Sequence, residues 1–201
     1  MKVLIVFAHP DTSSFNYALK ESIKLGFTDS GCEIIESDLY RMNFKSHLDR
    51  YDYPSWDKET FRPDEAAIKA SEDNSHAEDI NIERQKITES SVIVFQFPIW
   101  WSNCPAILIG WIQRVFGYGF GYPDPVLRNK KILISCTAGN YSAADIDIRI
   151  RSQLSSFAYM GAEILPIIAV SPNNTLTEAE RKQFIADAYN IAKGVAGNLS
   201  S

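Results

Sequence analysis

Three short stretches of the chain carry residue types suited to holding a small ligand. The first, His9-Pro10-Asp11-Thr12-Ser13-Ser14-Phe15-Asn16, follows an apolar run and opens a helical pattern. It places three successive hydroxyls where free backbone N–H groups and the positive end of a helix dipole attract a phosphate. An N-cap at Thr12 or Ser13 would need only one of them. There is no G-x-G-x-x-G, so the dinucleotide fingerprint is absent. His9 alone reads equally well as a satisfied polar residue at a strand end.

The second stretch runs Gln96-Phe97-Pro98-Ile99-Trp100-Trp101-Ser102-Asn103-Cys104-Pro105-Ala106. Two adjacent indoles between prolines predict a stiff, flat, apolar shelf for a planar heterocycle, with backbone N–H groups reaching its polar edge. Core packing is the competing reading for either tryptophan taken singly. The third stretch, Cys136-Thr137-Ala138-Gly139-Asn140-Tyr141, sets small residues where a ring could approach the backbone closely. Phe116-Gly117-Tyr118-Gly119-Phe120-Gly121-Tyr122 alternates aromatics with glycine and offers ring faces for a substrate wall or a groove filling.

These stretches need strands to hold them. Residues 2–8, 91–97 and 131–135 are continuous apolar, β-branched runs, the pattern of parallel strands buried on both faces. A fourth run, 162–170, is interrupted at Pro166, and 33–37 reads as an edge strand after the Ser30-Gly31 turn. Helical spacing fills the gaps: Phe15 to Gly26, Ile80 to Glu89, Pro105 to Phe116 with proline at the first helical position, and Asp145 to Met160 closed by Gly161. A last helix, Thr177 to Ala196, is announced by the capping-box spacing of Thr177 and Glu180. Strand and helix thus alternate into an open parallel sheet covered on both faces, with ligands expected at the carboxyl ends of the strands.

The segment 45–81 departs from the alternation. It is charged, lacks a strand pattern, and carries Tyr51, Tyr53, Trp56 and Phe61. Four aromatics in a polar segment want a surface to cover, so it reads as either a solvated excursion or a subunit interface.

Composition narrows the function classes. With 201 residues and 45% hydrophobic content, a substantial core is expected and disorder along the whole length is excluded. Twenty Lys and Arg against 25 Asp and Glu give a net charge of -5, which disfavours nucleic acid or an anionic membrane as the main partner. Cys32, Cys104 and Cys136 are too few and too scattered for a disulfide framework or a metal site, so they read as reduced thiols. The opening apolar run is far short of a membrane span and lacks a signal-peptide leader, which leaves a cytoplasmic address as the expectation.

Several motifs occur together and in order: His9-Pro10 with Ser14-Phe15-Asn16, Glu36-Ser37-Asp38-Leu39-Tyr40 with Met42-Asn43-Phe44, Phe95-Gln96-Phe97-Pro98, Pro105-Ala106-Ile107-Leu108, Gly110-Trp111 and Arg114-Val115-Phe116. On these the chain resembles the NAD(P)H:quinone oxidoreductases of the flavodoxin-like fold, in register over about residues 1–140 and more loosely beyond. The resemblance implies one flavodoxin-like domain over 1–201: a doubly wound, five-stranded parallel sheet of order 2-1-3-4-5. It also implies a homodimer with one flavin per subunit, FAD in preference to FMN. NAD(P)H and a quinone would alternate over the same ring face, giving ping-pong two-electron hydride transfer.

Carried over by position, His9, Thr12, Ser14, Phe15 and Asn16 would hold the flavin phosphates and ribityl chain. Pro98, Ile99, Trp100 and Trp101 would line the ring. The main chain of Thr137, Ala138 and Gly139 would face its N1 and O2 edge, and Gly139 N–H would stabilise charge there. Trp101, Ser102, Tyr122 and Tyr141 are the candidates for the substrate side. Ser102 stands where the family commonly has an aromatic, and residues 139–161 contain no histidine to match the Tyr and His of mammalian members. Two other readings share the motifs. One is an FMN-dependent azoreductase or nitroreductase-like enzyme, and the other a flavin-binding carrier or ancillary subunit that regulates a membrane transporter. Neither nucleic acid nor a metal is expected.

Overall fold

The computed structural model describes residues 1–123 and 125–198. Its strands are β1 (Lys2–Phe7), β2 (Glu33–Asp38), β3 (Val92–Pro98), β4 (Lys131–Thr137), β5 (Glu163–Ile164) and β6 (Ile168–Val170). The helices are α1 (Phe15–Thr28), α2 (Pro63–Asp73), α3 (Glu78–Glu89), α4 (Ala106–Val115), α5 (Ala143–Gln153), α6 (Ser155–Tyr159) and α7 (Glu178–Gly197). The parallel sheet has the order β2-β1-β3-β4-β5, and β6 also pairs with β4. The expected order therefore holds. The sixth strand arises because the 162–170 run is split: two residues of β5 pair with β4, the chain leaves the ladder at Leu165 to Ile167, and β6 rejoins it. Pro166 has no N–H to give a ladder there.

Strand periodicity explains the layers. Val3, Ile5, Val92, Val94 and Leu133 point to one face, where Leu19, Ile23 and Phe27 of α1 and Ala188 and Ala192 of α7 cover them. Their neighbours Leu4, Val6, Ile93, Phe95, Ile132 and Ile134 point the other way, against Ile87, Leu108, Trp111, Ile146, Ile150 and Phe157. Every β3 residue is buried because both faces are covered.

Several boundaries differ from the expectation. Helix α1 runs past Gly26 to Thr28, because Gly26 serves packing: a Cβ there would lie 2.5 Å from the Tyr189 carbonyl oxygen of α7. Pro105 is the N-cap of α4, not its first helical residue. The single helix expected from Asp145 to Met160 breaks at Leu154, whose φ of -108° and ψ of 19° are not helical. The last helix starts as expected, with Thr177 and Glu180 forming a reciprocal capping box.

The 45–81 excursion has a small core of its own. Tyr53 and Trp56 are buried with Ala66, Ala67 and Ala70 of α2, and Phe61 packs against them. Of its four aromatics only Tyr51 stands largely exposed, so the need for an outside surface is mostly met within the segment. Arg114 of α4 ties the excursion to the sheet domain through Asp52 at 2.9 Å and Asp79 at 2.7 Å. Among the described residues no helix is long and apolar enough to cross a membrane.

Candidate functional site

The parallel register brings the carboxyl ends of β1, β3 and β4 together: Phe7 pairs with Gln96, and Pro98 with Thr137. Since β1 has β2 on one side and β3 on the other, strand order reverses here, where doubly wound sheets bind ligands. An open cleft of about 250 Å³ lies at this point, lined by His9, Asn16, Pro98, Ile99, Trp100, Thr137, Ala138 and Gly139, with Asn173 and Asn174 closing one side. Two larger hollows of about 390 Å³ lie elsewhere. Their walls are helices and the 117–122 loop, and neither includes a strand end.

In the first loop the N-cap of α1 is Ser14, whose hydroxyl accepts from Tyr17 N–H, not Thr12 or Ser13. Ser13 is engaged by Asp11: its N–H and its hydroxyl both donate to Asp11 Oδ1 at 2.8 Å. Those two bonds hold the Asp11 carboxyl below the usual carboxylate range. His9 Nδ1 accepts from Asp11 N–H at 3.0 Å, which fixes the ring over the cleft. Thr12 is exposed, and Ser14 and Phe15 are half-buried on the loop outside the cleft wall.

The second loop is a tight turn. Trp100 and Asn103 exchange two backbone hydrogen bonds of 3.0 Å, and the two residues between them, Trp101 and Ser102, have φ of 49° and 65°. Positive φ at both central residues is the mark of a type I′ turn, a conformation that a tryptophan rarely adopts. The flat double-indole shelf is therefore not formed. Trp100, 41% exposed, lines the cleft with its ring 5.8 Å from that of His9, while Trp101 is 96% exposed and outside the lining. The left-handed turn sends the two successive side chains to different places.

In the third loop, Ala138 N–H is tied to Val170, and Gly139 N–H makes no hydrogen bond among the described residues. A Cβ at Gly139 would come within 3.3 Å of Asn174 Nδ2, so the narrow cleft wall suits glycine. Beneath the cleft Asn16 is held from two sides: its amide donates to Thr137 Oγ1 at 2.8 Å, and Gln96 donates to its Oδ1 at 2.8 Å. Gln96 Oε1 is buried and has no hydrogen-bond partner among the described residues.

Of the residues expected on a substrate side, Ser102 and Tyr141 lie outside the cleft lining and hydrogen-bond each other through their hydroxyls, with the Arg149 guanidinium 4.9 Å above the Tyr141 ring. Tyr122 is not brought to the cleft. It stands with Tyr118 at the hollow beside α4, because the 117–122 loop leaves the end of that helix away from the strand tips.

Asn173, Asn174 and Arg181 escaped the sequence reading. Arg181 donates to the Asn173 carbonyl at 2.8 Å and lies 4.9 Å over the Phe15 ring. Asn173 and Asn174 follow β6 at the same sheet end as the other loops, and extending the strand-end search to that run would have found them.

The chain matches the family described as having a flavodoxin-like fold over residues 1–192. It is 32% identical over 203 residues to human ribosyldihydronicotinamide dehydrogenase [quinone], covering 92% of this chain and 87% of that one. It is 38% identical over 146 residues to rat NAD(P)H dehydrogenase [quinone] 1, covering 69% of this chain and about half, 53%, of the rat enzyme. A putative quinone reductase from Klebsiella pneumoniae superposes with a TM-score of 0.89 at 28% identity, covering 94% of this chain and 83% of that one. The chain belongs to the NAD(P)H:quinone oxidoreductase family. It is an oxidoreductase of flavodoxin-like fold, and membership implies a flavin with NAD(P)H as reductant.

The residues of this family member suit that cofactor. The polar edge of a flavin ring is rich in acceptors, and Gly139 N–H, unbonded among the described residues, would supply a donor beside an apolar wall of Pro98, Ile99 and Trp100, with the turn of Trp101 and Ser102 next to it. Close approach is possible at Gly139, where no side chain intervenes.

Proposed function

We propose that the chain is a flavin-dependent NAD(P)H:quinone oxidoreductase carrying FAD, acting as a cytoplasmic homodimer. NAD(P)H and a quinone, or another flat acceptor, use one site in turn. The observation that carries this reading is the convergence of three strand-end loops on one cleft walled by Pro98, Ile99 and Trp100 and edged by Gly139 N–H.

The flavin supplies the hydride chemistry when bound. The chain supplies position and charge. Gly139 N–H would be the donor to negative charge on a bound ring edge, with no titratable side chain needed. Asn16, oriented by Gln96 and Thr137, presents a fixed polar group to the ribityl side. Pro98, Ile99 and Trp100 exclude water from one ring face. Arg181 forms no carboxylate pair among the described residues, so its charge would be available to a flavin phosphate near Phe15. Exposed Tyr118, Tyr122 and Tyr159 beside Phe116 and Met160 form an apolar patch that supports pairing of two copies. Three free thiols support a reducing compartment.

Initial rates of NADPH oxidation, measured at several fixed concentrations of a soluble quinone, test the shared site. Parallel double-reciprocal lines are expected, and lines that intersect would contradict alternation at one site.

A further inference from the structure

The turn that carries Trp101 poses a physical problem. Two successive residues with side chains occupy the left-handed region, and the Trp101 side chain, almost wholly exposed, has no packing to hold it there. Something else must fix the backbone.

Gln153, the last residue of α5, meets the turn with both ends of its amide. Its Nε2 donates to the Ser102 carbonyl at 3.0 Å and to Asn103 Oδ1 at 3.1 Å, while its Oε1 accepts from Cys104 N–H at 3.1 Å. Asn103 passes the hold onward by donating from Nδ2 to the Trp101 carbonyl at 2.9 Å. The helix behind Gln153 is itself fixed, since Ile146 and Ile150 are fully buried against the sheet. Among the described residues the N–H groups of Trp101 and Ser102 find no hydrogen-bond partner. A turn with strained φ values and free donors is useful only if it is rigid, and three hydrogen bonds from one half-buried side chain supply that rigidity.

We infer that Gln153 is a positioning residue of the site: from the end of α5 it locks the Trp100–Asn103 turn and keeps the Trp101 and Ser102 N–H groups free and fixed beside the cleft. This rests on the reading of the cleft as a flavin site. Gln153 touches no reacting atom. Its effect passes through the backbone it holds.

Two variants test the inference. Gln153→Ala removes all three bonds. Gln153→Glu keeps the shape and the acceptor for Cys104 N–H, but sets a carboxylate oxygen against the Ser102 carbonyl and Asn103 Oδ1. In flavin-free protein, amide exchange at Trp100, Asn103 and Cys104 should be faster by about tenfold or more in the alanine variant, since three hydrogen bonds are lost together, with exchange in β3 and β4 unchanged. In flavin-loaded protein, both variants should retain flavin through the untouched first loop. Both should show an altered bound-flavin absorbance spectrum and a kcat/KM for NADPH lower by about tenfold. Unchanged exchange at Trp100, Asn103 and Cys104, or faster exchange with an unaltered spectrum and kcat/KM, would overturn the inference. If the alanine variant does not fold, the isosteric glutamate decides by the same readouts. A wild-type chain that binds no flavin would instead overturn the function proposed above, and the exchange result alone would then decide the clamp.

Discussion

Asp11 stands in the loop before α1, where the proposed flavin would bring its phosphate. Its carboxylate takes both donors of Ser13 at the N-terminal end of α1, so it mimics an anionic ligand and competes with one. Asp11→Asn removes that charge, so it should tighten flavin binding severalfold in a fluorescence titration. Weaker binding by the variant would mean that Asp11 arranges Ser13 for the ligand. At this scale much of the site was legible. His9, Pro98, Ile99, Trp100 and Thr137 to Gly139 stand at strand ends, where the chain's strand pattern alone directs attention, and Asn16 stands in the first turn of the helix that follows β1. The fate of Trp101 was not legible, because a type I′ turn usually advertises itself with Asn or Gly and this one carries Trp and Ser. Nor was the Gln153 clamp, since it depends on a helix break some 50 residues downstream.

Elements were legible where periodicity was strong. The buried strands and the capped α7 follow directly from their apolar runs and the Thr177–Glu180 spacing. The excursion was opaque because its core is built from three alanines and aromatics that a polar segment disguises. It also contains a buried histidine. His76 is 6% exposed, its Nδ1 facing Arg84 Nη1 at 3.2 Å and its ring edge-on to Tyr53. Burial first, and the Arg84 charge second, hold its pKa down at about 4 from the ordinary 6.5, with Asp52 opposing weakly. Below pH 6.5 the unfolded chain takes up a proton that the folded chain refuses until about pH 4. The stability from this group is therefore complete above pH 6.5 and is lost as pH falls, by on the order of 2 kcal/mol. A Tm series from pH 7 to 4.5 should fall more steeply for the wild type than for His76→Phe. Equal slopes would show that His76 titrates normally.

For the whole molecule, one sheet with two separately packed faces presents its strand tips to a ligand. The order 2-1-3-4-5 puts the reversal between β1 and β3, so position in the fold, more than any one side chain, selects the cleft over the larger hollows near α4. The central claim is that this cleft holds the isoalloxazine ring of one flavin per chain. It is tested most directly by adding excess FAD to the purified chain, removing unbound cofactor and measuring absorbance against protein concentration. The account predicts a yellow protein with about one flavin per chain and saturable binding in the range usual for tightly held cofactors. A well-folded protein that stays colourless with both FAD and FMN would contradict it.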